Sequence, residues 1–96
     1  MHFNDAILEY GFDCRARKLS DKTISNYQKQ LRYFQRYLEA EFKINQVEAV
    51  RSFHLKQFLV SMDDKGRKPR YINDLLKVFK TFFNYMKKRF LFTHDV

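Results

Sequence analysis

Apolar residues recur at steps of three and four in four separate runs of this chain, and each run reads as one amphipathic helix. The first covers about 3–17, with Phe3, Ile7, Tyr10 and Cys14 at helical intervals. Gly11 inside it costs about 1 kcal/mol relative to Ala without breaking the period. The second opens at Ser20, an N-cap whose hydroxyl accepts from a free backbone N–H, and Asp21 in its first turn suits the helix dipole. Ile24, Tyr27, Leu31, Phe34 and Leu38 then form one stripe that runs to about Phe42. A connector over 43–51 follows, anchored by Ile44 and Val47. Ser52 is the expected N-cap of a short third helix carrying Leu55, Phe58, Leu59 and Met62 on one face. Residues 63–68 make a polar turn around Gly66, and Pro69 fits the first turn of a fourth helix, where its missing N–H costs nothing. That helix carries Ile72, Leu75, Leu76, Phe79, Phe82, Phe83 and Met86, and is expected to end near Phe90.

The pattern predicts an all-α fold. Composition agrees: 2 Gly and 1 Pro are too few turn-formers for many short strands, and 11 Phe with 6 Tyr supply a core even in a small domain. At 96 residues the expected organisation is one domain over 1–96, without internal repeat or linker. Cys14 is alone, which removes a disulfide framework or a zinc set and makes it a small buried apolar residue. Together with the scattered His2, His54 and His94 it makes no metal site, and no cofactor is expected. No apolar run reaches the length of a membrane span and the N-terminus lacks a signal-peptide pattern, so the expectation is a soluble cytoplasmic protein with no membrane partner. Leu91–Val96 stop without a terminus signal, as in a piece of a longer protein.

Charge changes the picture. The net charge of +8 points to an anionic partner, nucleic acid before membrane surface. The surplus is local, since residues 65–96 hold nine Lys or Arg against Asp74 and Asp95. On a helical wheel, the face of helix two opposite Ile24–Leu38 presents Lys22, Ser25, Asn26, Lys29, Arg32, Tyr33 and Arg36, with Asp21 and Glu39 at one edge. Helix four repeats this with Arg70, Asn73, Lys77, Lys80, Thr81, Asn84 and Lys88, and Asp74 toward one flank. An ordinary solvated face mixes signs, because opposite charges at i, i+4 support the helix. Two faces nearly free of acids suit phosphate neutralisation by Lys and Arg, and bidentate pairing of Asn with adenine in the major groove.

The run Leu19-Ser20-Asp21-Lys22-Thr23-Ile24-Ser25-Asn26-Tyr27, followed by Leu31, Phe34 and Leu38, resembles the L-S-x-x-T-I-x-x-Y signature of the core-binding domain of tyrosine recombinases, the phage-integrase family. Phe53-His54-Leu55 through Phe58-Leu59 is similar to that domain's short helix, and Gly66-Arg67-Lys68-Pro69-Arg70-Tyr71-Ile72-Asn73 to its G-x-S-P-x-T-I-N run. Two departures stand out: Lys68 replaces the usual Ser before Pro, losing a cap hydroxyl and adding a cation, and Tyr71 replaces the usual Thr. The resemblance implies a four-helix SAM-like orthogonal bundle whose second and fourth helices face duplex DNA, with Lys22, Asn26, Tyr71 and Asn73 at contact positions. The expected DNA-binding set is Lys22, Ser25, Asn26, Lys29, Arg32, Arg36, Arg67, Lys68, Arg70, Tyr71, Asn73, Lys77 and Lys80.

The resemblance also implies that the chemistry sits on a separate C-terminal domain, where a Tyr nucleophile works with Arg, Lys and His. The H-x-x-R element of that site is missing here: Asp5 and Gln57 stand three places after His2 and His54, and the chain stops before that position after His94. No catalytic role therefore falls to Tyr10, Tyr27, Tyr33, Tyr37, Tyr71 or Tyr85, and Tyr27 is expected in the core with its hydroxyl at the rim. The implied partners are double-stranded DNA, the catalytic domain of the same polypeptide and other recombinase protomers, in a bacterial or phage-encoded, nucleoid-associated protein. The competing expectation is a helical protein-interaction module that contacts protomers or an adaptor.

Overall fold

The computed structural model describes residues 1–90, and its helices follow the apolar runs closely. They are α1 (Phe3–Ala16), α2 (Asp21–Phe42), α3 (Ser52–Asp64) and α4 (Pro69–Phe90), with a single 3₁₀ turn at Val47–Ala49. The fold is all-α. The expectations that rest on His94 and on Leu91–Val96 lie outside the described residues.

The chain divides into two compact units, Met1–Ala49 and a second beginning at Val50. In the first, α1 packs on α2. Phe3, Ala6, Ile7, Tyr10 and Cys14 are buried on α1, and Ile24, Leu31, Phe34 and Leu38 on α2. Phe3 meets Phe34 edge-on, with ring centroids 6.2 Å apart, the geometry the ring quadrupoles favour. Gly11 is buried against Ile24 and Gln28, and a Cβ in its place would run into the Gln28 side-chain amide. That amide is the movable end of a flexible side chain, and the next neighbour, Ile24, would be at ordinary contact distance.

Backbone caps close the first unit. Ser20 is the N-cap of α2, its hydroxyl accepting from the Thr23 N–H at 3.1 Å. His2 plays the same part for α1, its Nδ1 accepting from the Asn4 N–H at 3.0 Å. The connector after α2 returns alongside the N-terminus, with Phe3 N–H donating to Asn45 O and Val47 N–H to Met1 O. The N-terminal ammonium lies 2.6 Å from the Glu48 carboxylate. Val47 is buried as expected, whereas Ile44 is only half-buried.

In the second unit α3 packs on α4. Leu55, Phe58 and Met62 face inward from α3, and Leu75, Phe79, Phe82, Phe83 and Met86 from α4. Phe58 and Phe79 are in ring contact at 5.7 Å. Each of these side chains contributes about 1.5–3 kcal/mol by leaving water, which is how a short α3 stays helical. Its cap differs from the expected one. The N-cap is Arg51, in extended conformation, and Ser52 is the first helical residue. The Arg51 N–H donates to the Nδ1 of the buried His54 at 2.8 Å, so an imidazole three residues on closes the helix start. That bond requires a neutral acceptor nitrogen. Burial, with the Arg51 charge second, lowers the His54 pKa from its ordinary 6.5.

Because the folded chain holds His54 neutral more strongly than the unfolded chain does, its contribution is complete above pH 6.5 and is lost as pH falls through the depressed value. Thermal melts at pH 7.5 and pH 5 are therefore expected to show a lower Tm in acid, and His54→Gln to shrink that difference. Lys18 and Lys43 both take left-handed backbone at helix C-termini, with φ of 62° and 54°. A side chain is disfavoured there. Lys43→Gly should raise unfolding free energy by about 1 kcal/mol in urea titrations, and an unchanged midpoint would contradict it.

Candidate nucleic-acid interface

Each unit carries one basic face, described separately. On α2 the burial of Ile24, Leu31, Phe34 and Leu38 turns the opposite side to solvent. Lys22, Ser25, Asn26, Lys29, Arg32 and Arg36 are all exposed there, and Tyr33 is half-buried beside them. Tyr27 is half-buried, at the rim of the core. On α4 the burial of Leu75, Phe79, Phe82 and Met86 does the same for Arg70, Asn73, Lys77, Lys80, Asn84 and Lys88. The Thr81 hydroxyl on this face donates back to the Lys77 carbonyl at 2.9 Å.

No acidic side chain among the described residues forms a salt bridge with these cations. Among the described residues, the salt bridges of the helices join Arg17 to Asp13 at 3.0 Å and Arg15 to Asp21 at 3.9 Å. None involves Lys22, Lys29, Arg32, Arg36, Arg67, Lys68, Arg70, Lys77 or Lys80. A helix face that kept its charges for intrahelical support would pair them at i, i+4. Here they remain available to an external anion.

The turn between α3 and α4 adds to the second face. The Gly66 N–H donates to Asp63 O and the Arg67 N–H to Met62 O, a Schellman closure of α3 that puts Gly66 at φ +79°. Arg67 and Lys68 leave this turn exposed, immediately before Pro69 opens α4. With Gly66 and Tyr71 they line an open hollow of about 320 Å³. Tyr71 lies at the edge of the α4 wheel, and the turn brings loop cations to it. The sequence signal for Tyr71 is the resemblance of Gly66–Asn73 to the G-x-S-P-x-T-I-N run.

Residues 14–89 match the family described as phage integrase, N-terminal SAM-like domain. The chain belongs to that family. No curated protein and no solved structure gives a match. The matched span runs through both units and takes in every residue of the two basic faces, whereas most of α1 precedes it. On α1, ahead of the matched span, Tyr10 is buried at 1% exposure, and burial, followed by the neighbouring Cys14, pushes its hydroxyl up to about 12. A phenol so placed stays protonated and enclosed, which makes it a packing residue. His2 and His54 serve as helix caps. Among the described residues no helix is long and apolar enough to cross a membrane.

Gly66 has nothing within 4 Å of where a Cβ would stand, so a substitution there meets only the backbone penalty. Gly66→Ala should cost about 1 kcal/mol and Gly66→Asn less, measured by urea denaturation. Equal losses for both would point to a packing role instead.

Proposed function

We propose that this chain is the DNA-gripping arm of a site-specific tyrosine recombinase, clamping duplex near the point of strand exchange. The observation that carries the reading is the pair of exposed faces whose cations have no acidic partner among the described residues, in a domain of the phage-integrase family. Lys22, Lys29, Arg32 and Arg36 on α2, with Arg67, Lys68, Arg70, Lys77 and Lys80 at and beyond the second turn, would neutralise phosphates and release counterions. Ser25 and Tyr71 would donate to backbone oxygens, while Asn26 and Asn73 have the amide groups that read base edges. The two units would act as one domain over 1–96, since the family match runs across both.

On this reading the partners are double-stranded DNA, a catalytic domain of the same polypeptide and other recombinase protomers. The strand-exchange chemistry would belong to that catalytic domain. The protein would work in the cytoplasm, nucleoid-associated, in the integration or recombination of a mobile element.

Phosphate contacts dominate such an interface, so binding should be weakly sequence-selective and fall steeply with salt. Fluorescence anisotropy with a labelled duplex at several salt concentrations measures the slope. Lys29→Ala and Lys77→Ala, both at exposed sites, should each lower it by about one. Absence of binding at low salt would overturn the proposal.

A further inference from the structure

The basic face of α4 has an internal order. Arg70, Asn73, Lys77, Lys80, Asn84 and Lys88 are all exposed and follow one another at steps of three or four. They therefore stand in one row along the helix, on the side away from the buried Leu75, Phe79, Phe82 and Met86. Cations hold both ends and the middle of the row, and Asn73 and Asn84 stand between them. From Asn73 to Asn84 the helix makes three turns, which puts the two side chains about 20° apart in direction and about 16 Å apart along the axis.

Neither Asn has a hydrogen-bond partner among the described residues. Asn is also a poorer helix former than Ala, Lys or Arg, and a neutral amide adds nothing to the attraction of phosphates. What an outward amide offers is a paired donor and acceptor on a short stem. That pair matches the major-groove edge of adenine, whose N6 amino group donates and whose N7 accepts. Guanine presents two acceptors there, N7 and O6, so the amide oxygen would oppose one of them. Asp74, next to Asn73, lies about 100° round the helix at the flank of the row, with Arg70 and Lys77 one turn to either side of it.

We infer that Asn73 and Asn84 each pair with an adenine, and that the two A·T pairs lie about five base-pair steps apart, at roughly 3.4 Å per step. The inference rests on the proposed DNA reading and deepens it. The cations of the row give affinity for any duplex, and the two amides choose among duplexes. Side-chain length divides the work. With α4 in the major groove, Arg70, Lys77, Lys80 and Lys88 have the long side chains that reach phosphates on the groove walls. The short Asn side chains reach only the floor beneath the helix. Each amide adds a preference of about tenfold for its A·T pair, a modest selectivity on top of salt-sensitive binding.

The test is selection, at low salt, from a pool of duplexes with a randomised stretch just over one helical turn long, followed by sequencing of the bound fraction. The wild-type chain should enrich A·T pairs at two positions about five steps apart, each about tenfold. Asn73→Ala should abolish the preference at one position and Asn84→Ala at the other, while total binding at low salt stays near that of wild type. Ala favours a helix more than Asn does, so both variants keep α4, and circular dichroism verifies it. Lys29→Ala, on the α2 face, should weaken binding to every duplex alike and leave the preference in place. Binding without a preferred position overturns the inference and leaves the DNA reading standing. So does a preference that survives both Asn variants. Loss of all binding at low salt overturns the DNA reading itself, and the inference with it.

Discussion

The apolar stripe of α2, from Ile24 through Leu31 and Phe34 to Leu38, must leave water, and that requirement orients every other residue of the helix. Once those four side chains face α1, the 3.6-residue period leaves Lys22, Lys29, Arg32 and Arg36 no direction but outward. The same constraint acts in the second unit, where Phe79, Phe82 and Met86 turn inward and Arg70, Lys77 and Lys80 outward. The basic faces are therefore a consequence of core formation plus one choice: which residues fill the solvent side. Solubility alone would be served by mixed charge. Among the described residues these cations forgo the few tenths of a kcal/mol that each i, i+4 pair offers, and on the proposed reading the phosphates of a duplex would be their counter-charge.

Much of this was legible because it is local. Ser20 caps α2, Pro69 opens α4 and the stripes repeat every three or four residues, so helix limits and faces follow from short-range spacing alone. What escaped depended on backbone path or on a neighbour. Nothing about Ser52 says that the preceding Arg51 will be extended at φ −121°, ψ 164° and hand its N–H to His54. Lys18 and Lys43 occupy left-handed positions where glycine is the ordinary choice, so their sequence carries no mark of the turn. The sequence around Gly11 does not say that the Gln28 amide of α2 will lie over it. Gln35, buried at 9% exposure on the apolar side of α2, is a polar residue at a core position that periodicity passes over.

The candidate site divides in the same way. The stripe residues were readable on a wheel, since exposure follows directly from the buried face. Tyr71 was not, because its company with Arg67 and Lys68 depends on the course of the turn through Gly66. A Lys in place of the usual Ser before Pro69 exchanges a neutral capping hydroxyl for a charge at the rim of that hollow. The loss at the helix start is partly offset by Pro69 itself, whose ring fixes φ for the first turn and removes a backbone donor that would otherwise need a partner. Local helix stability and surface charge thus trade against each other at a single position.

The proposed DNA-binding faces bear on the net charge. A charge of +8 favours a polyanion and opposes contact between copies. On the proposed reading a bound duplex would itself be the counter-charge: phosphates beside Lys22–Arg36 and Arg70–Lys80 would remove most of the repulsion between copies that share it. Linkage would then require that whatever DNA does for association, association does equally for DNA binding.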